Sequence, residues 1–230
     1  MCARIKLYFL VMLFIGLTSC VSQQRHEVWI KEFPADAWYF DSVTFEIAPV
    51  LSTDLPAAGA LDYLRDRLHT NHLCHRDSVR FIIREPIMLF HVGPWSNPLI
   101  QHYEVQQRTI HDKALDDRHF FVFVAYIRGN WVDMDGIKFL GGIQYGPSSF
   151  AIFKDGAGSR EPAVLLHEFG HLLGMVKDKT RENYDSSHQY HCVNAHCVMF
   201  WSTPHAKADF DFFCKRYIRR RVAERVAEDN

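Results

Sequence analysis

Five consecutive residues, His167-Glu168-Phe169-Gly170-His171, carry the chemistry that this chain displays most openly. On a helix, four steps of ~100° bring His171 back over His167, so both imidazoles project from one face and can hold a single cation. Glu168 lies one step round, where its carboxylate reaches a water beside that cation without ligating it, which is the place of a general base for hydrolysis. H-E-x-x-H is the helix-borne zinc motif, and the surroundings sharpen it. Ala163, Val164, Leu165, Leu166, Leu172 and Leu173 make the helix apolar nearly all round. A His-Glu-His cluster in such a setting is costly unless a metal or polar partners satisfy it.

Zinc in a hydrolase takes three protein ligands and keeps one position open. Gly174 lets the chain leave the helix in a left-handed conformation and double back, and Asp178, Asp185, His188, His191 and His196 all lie within reach of such a turn. Farther on stands His191-Cys192-Val-Asn-Ala-His196-Cys197-Val198-Met199.

Together these segments resemble the archaemetzincins, zinc peptidases of the metzincin kind, whose motif runs H-E-x-x-H-x-x-G and then H-C-x4-C-x-M. The resemblance rests on His167, Glu168, His171, Gly174, His191, Cys192, Cys197 and Met199, and spans 33 residues. It implies a zinc metalloendopeptidase with His191 as third ligand, Glu168 as catalytic base and Met199 in the turn beneath the metal. The chain departs from the pattern in three places. Position 177, where metzincins usually place the third ligand, is Lys177; Met175 to Tyr190 is a polar insertion; and only Cys214 follows Met199, where archaemetzincins carry a C-x-x-C pair that completes a structural zinc site. In an oxidising compartment the missing cysteine favours a disulfide of Cys192 with Cys197 or Cys214 over a second zinc.

The elements that must position these residues follow from periodicity. Val43, Phe45 and Ile47 alternate in a half-buried strand over 42–49, and Leu61, Leu64 and Leu68 recur at helical spacing over 56–69. A second strand is predicted at 78–84, a helix with a thin apolar stripe at 97–113, and a central strand in the continuous apolar run 119–127. Residues 143–154 read as one edge strand with a bulge, 161–174 as the motif helix, and the chain from Phe210 as an amphipathic helix. The fold class is α+β: a twisted mixed sheet, an active-site helix and a small irregular carboxy-terminal part ending in a helix. The resemblance makes it metzincin-like.

The amino terminus has a different character. Arg4 and Lys6 precede the apolar run Leu7 to Ile15, and Leu17-Thr18-Ser19-Cys20 matches the bacterial lipobox. The expected organisation is therefore a lipoprotein signal peptide over 1–20, a tether over 21–40 and a metallopeptidase domain over 41–230. Lipidation of Cys20 would place the domain in the bacterial cell envelope on a membrane anchor, the outer membrane favoured, facing the periplasm. A formal net charge of −1 gives no field for phosphates, which argues against nucleic acid and leaves a peptide or protein substrate as the partner. Two other functions use the same residues: a non-catalytic zinc-binding lipoprotein for protein recognition, and a zinc amidase acting on cell-wall peptides. A purely structural clip has no need of Glu168 beside an open position.

Overall fold

The computed structural model describes residues 39–86, 91, 93–110, 118–202 and 205–228. The segments expected to be a signal peptide, with Cys20, and a tether lie outside the described residues up to residue 38. One compact unit spans Trp38–Ile218, and the chain from Arg219 on belongs to another. No helix of the described residues is long and apolar enough to cross a membrane.

The sheet has five strands: β1 (Ser42–Pro49), β2 (Val79–Ile83), β3 (His119–Ile127), β6 (Gly142–Gly146) and β7 (Ser149–Phe153), in the order β2-β1-β3-β7-β6. The first four in that order run parallel, and β6 pairs antiparallel with β7. Central strands covered on both faces read as nearly continuous apolar runs. Val122 to Ile127 of β3 and all of β7 accordingly have no exposed position. A small hairpin, β4 (Trp131–Asp133) with β5 (Gly136–Lys138), follows β3 and has no counterpart in the periodicity reading, because three-residue strands carry too few alternations.

Helices α1 (Ala60–Thr70) and α4 (Glu161–Leu172) cover one face and α2 (Asn97–Gln107) the other. On the first, Phe169 of α4 packs against Phe45 and Phe120 at ring separations of 5.4 and 5.9 Å. On the second, Ile100 and Tyr103 join Ala48, Phe123, Ala125 and Ala151 in a buried cluster. A single turn, α3 (Lys154–Ala157), leads into α4, and α5 (Phe212–Glu228) ends the described chain.

Several sequence expectations are corrected. The strand expected over 143–154 is two strands joined at Pro147-Ser148, and only β6 is an edge; β7 is interior. Helix α1 starts at Ala60, not Pro56, because Gly59 takes φ 75° and the preceding residues turn. Helix α2 stops at Gln107, where Arg108 becomes extended. Strand β1 is buried on both faces, including Glu46, which is 2% exposed. Burial pushes that carboxyl up, but hydrogen bonds from Thr109 and Ile110 and the Arg84 guanidinium outweigh it and hold it below the usual carboxylate range.

Candidate metal centre

Helix α4 presents the motif to a cleft of about 500 Å³ lined by His167, Glu168, His171 and His191, by Gly142, Ile143 and Gln144 of β6, and by Arg160 and Val164 upstream. The helix ends at Leu172. Gly174 at φ 66° closes it, with its N–H donating to His171 O at 2.9 Å and that of Met175 to Gly170 O at 3.1 Å, the paired bonds of a left-handed cap. The chain thus reverses, and the insertion Met175 to Tyr190 returns His191 to the two helical imidazoles.

The three ring centroids lie 4.6, 5.2 and 5.0 Å apart, and one nitrogen from each imidazole lies within 4.8 Å of the others. His167 Nε2 faces His171 Nε2 at 3.0 Å. Ligands ~2.05 Å from a tetrahedral zinc are separated by about 3.4 Å, so the spacing suits that ion. The other ring nitrogens of His167 and His191 fix their orientation. His167 Nδ1 meets Val198 O at 2.6 Å, and His191 Nδ1 meets Gln189 O at 2.9 Å. Each Nδ1–H donating to a carbonyl leaves Nε2 with its lone pair toward the centre. Burial also keeps these rings neutral: it pushes His167 down to about 4, helped by His191, and lowers His171 and His191. A neutral imidazole is the ligating form, so at pH 7 no proton has to leave.

Glu168 is 4% exposed and lies against β6. A Cβ on Gly142 would stand 2.7 Å from Glu168 Cγ and Oε1, so only glycine lets the edge strand approach the carboxylate this closely. Without a cation, burial raises this carboxyl to about 8, opposed by the Gln144 N–H that it accepts. Met199 is fully buried, with its sulfur against the helix where Gly170 has no Cβ.

Tyr190 sits at φ 67°, a left-handed backbone that a bulky residue adopts only at a cost of about 1–3 kcal/mol. The strain falls directly before His191 and turns it inward. Lys177, Asp178, His188 and His196 are not in the three-imidazole group; Asp178 caps its own turn through Thr180, and Asp185 is engaged with His188.

A second group lies behind the first. Cys192, Cys197 and Cys214 are free thiols, and with Asp211 their donor atoms lie within 4.8 Å of one another. The disulfide expected among these three cysteines is therefore not formed. Cys197 Sγ and Cys214 Sγ are 3.7 Å apart, far from a bond of ~2.05 Å but close to the ~3.8 Å between two thiolates on a tetrahedral zinc. Asn183 Nδ2 donates to Cys192 and Cys214, and the N–H groups of Met199 and Asp211 donate to Cys197, all at 3.4 Å. The Cys192 thiol is pushed down because Cys197 and Cys214 hydrogen-bond to it, and the same contacts raise those two. Asp211 and Asn183 were not found from sequence. The signal for Asp211 is Asp211-Phe-Phe-Cys214, a C-x-x-C spacing with a carboxylate in the first place. Cys74 is not part of this group, and burial pushes its thiol up to about 12.

Neither the family models nor the curated proteins contain a match to this chain. Among solved structures, archaemetzincin from Methanopyrus kandleri superposes with a TM-score of 0.51 at 12% identity, over 83% of this chain and 98% of that one. Metalloproteinase-II from Bacteroides fragilis gives 0.46 at 13%, over 81% of this chain and 54% of that one. The chain thus shares its fold, a mixed twisted sheet with helices on both faces, with an archaemetzincin.

Proposed function

We propose that this chain is a zinc-dependent endopeptidase whose metal is held by His167, His171 and His191 and whose proton transfers run through Glu168. The observation that carries this reading is the convergence of three neutral imidazoles beside a buried carboxyl group, on the floor of a cleft bordered by an edge strand. Zinc bound there supplies a Lewis acid that polarises a substrate carbonyl and acidifies water. The chain's own residues do the rest. Glu168, steadied by the Gln144 N–H, takes the proton of the attacking water and returns it to the leaving amine. A cation nearby favours the ionised carboxyl, which brings it down from the metal-free value toward a base competent at neutral pH. The free side of β6 offers main-chain groups to an extended peptide.

Gly142→Ala tests the fit of strand and base. It should displace the Glu168 side chain and lower kcat by about 10²-fold, the effect of a roughly 1 Å misplacement, while zinc content stays unchanged. Wild-type kcat in that variant, checked by steady-state hydrolysis, would remove Gly142 from the account.

Cys192, Cys197, Cys214 and Asp211 are proposed to hold a second, structural zinc. Thiolate spacing and N–H groups aimed at sulfur support it. Such a clip would fix Cys192, next to His191, and Cys197, next to the Val198 carbonyl that orients His167. The purified domain should therefore carry about two zinc ions per chain and cleave a peptide pool, with chelation abolishing cleavage and zinc restoring it. Chelator-insensitive cleavage overturns the reading, and zinc without hydrolysis leaves a binding protein.

The lipobox extends the proposal to location. Cys20→Ala should move nearly all of the protein from the membrane to the soluble fraction of a bacterial envelope preparation. Unchanged detergent-dependent association would defeat the lipid anchor.

A further inference from the structure

The cleft has a wall that the proposed chemistry does not use. Trp201 lines it together with His167, Glu168 and His191, and is 50% exposed. Its indole stacks on the His188 imidazole at a centroid separation of 4.4 Å and an interplanar angle of 6°. That imidazole is itself fixed: His188 Nδ1 meets Asp185 Oδ2 at 3.0 Å, while Asp185 Oδ1 accepts the N–H groups of Ser187 and His188 at 2.8 and 3.2 Å. The Asp185 N–H donates to His191 O at 2.8 Å, so the buttress is anchored to the metal-facing segment. Tyr190, 48% exposed and on its left-handed backbone, lines the same cleft.

From this arrangement we propose that Trp201 is the platform of a substrate subsite that takes a large apolar or aromatic side chain of the bound peptide, and that His188 and Asp185 position it. The proposal rests on the peptidase reading. Trp201 holds apolar surface in water beside the reacting groups, with one face already occupied by the imidazole. An aromatic fixed in advance loses little conformational freedom when a ligand covers it. Stacking against a second ring, added to the area buried, then favours a substrate phenylalanine over alanine by about 10-fold or more. A peptide is favoured over a sugar as the occupant because β6 forms part of the same cleft and presents main-chain partners to an extended chain. The insertion thus has two duties: it delivers His191, and through Asp185, His188 and Tyr190 it shapes what the cleft admits.

The test uses the zinc-loaded Glu168→Gln variant, whose slowed turnover lets binding be read before cleavage, and two peptide pools that differ only in phenylalanine or alanine at scanned positions. Fluorescence anisotropy should show about 10-fold tighter binding of the phenylalanine pool. Trp201→Ala should bring that ratio close to one, Trp201→Phe should restore most of it, and His188→Ala should reduce it with zinc content retained. A ratio unchanged by Trp201→Ala overturns the platform, whether or not the wild type cleaves peptides. Trp201-dependent binding without wild-type hydrolysis overturns the peptidase reading and leaves the platform standing. Trp201-dependent binding of a soluble cell-wall glycan fragment in preference to either pool overturns the assignment to a peptide side chain.

Discussion

Glu168→Gln should leave both zinc ions and the fold in place and lower kcat by about 10²–10⁴-fold, the range assigned to a positioned general base. Glutamine has the shape of the acid and its carbonyl can still accept the Gln144 N–H, so the packing against β6 survives while proton transfer does not. KM should change much less than kcat, because the substitution removes an interaction needed only as the proton moves. Equal loss of zinc in the variant would make Glu168 a ligand and end its assignment as base. The chelated protein adds a second readout. Its Glu168 carboxyl, buried and raised to about 8 from an ordinary 4.5, binds a proton in the folded state that the unfolded chain has already released. Folding therefore loses stability as pH rises from about 4.5 to about 8, and the penalty is constant above. Glu168→Gln cannot ionise, so thermal unfolding of the chelated variant should lack this part of the pH dependence. His167, lowered to about 4, acts in the opposite direction and costs stability as pH falls from 6.5, equally in both proteins. The difference between variant and wild type isolates Glu168.

The parts of this architecture that sequence made legible are those with strong local periodicity. The apolar run 119–127 reads as a central strand and is one, and Gly174 marked the end of the motif helix within two residues. The 143–154 segment misled because Gly146-Pro147 reads equally as a bulge or a hairpin turn; sheet pairing, a long-range property, decides between them. Glu46 was legible only as a polar position in an alternating strand, since its partners Thr109 and Ile110 are over 60 residues away in the chain. The same divide runs through the site. His167, Glu168 and His171 announce themselves by helical spacing. His191 depended on a resemblance, because a 16-residue insertion stands between Gly174 and it. Asp211 escaped because cysteine arithmetic counts thiols, and a carboxylate in a C-x-x-C frame is invisible to it. Trp201 carried no signal at all: its role depends on His188 and Asp185 in a loop whose path no pattern specifies.

His191→Ala should bind one zinc in place of two. An apparent binding free energy of about 10–16 kcal/mol for a four-ligand zinc site makes one ligand worth roughly 3–4 kcal/mol, or 10²–10³-fold in affinity. Only the three-imidazole centre should feel that loss, since its remaining donors are His167 and His171. The thiol group keeps Cys192, Cys197, Cys214 and Asp211, and alanine at 191 leaves the backbone bonds that pin Cys192 to Met199 and Asp185 to residue 191. Peptide cleavage should fall with the lost metal and recover in part at high zinc concentration. Asp178→Ala and His188→Ala are the controls: Asp178 is occupied in its own turn with Thr180, and His188 faces Asp185 and Trp201, so both variants should keep two zinc ions. Metal analysis of the three proteins after dialysis against a weak chelator decides the matter. Two zinc ions and full cleavage in His191→Ala would detach His191 from the centre and shift the third ligand into the Met175 to Tyr190 insertion. One zinc that is lost only when Cys214 is also replaced would place the surviving ion among the thiols, whose sulfur spacing suits it.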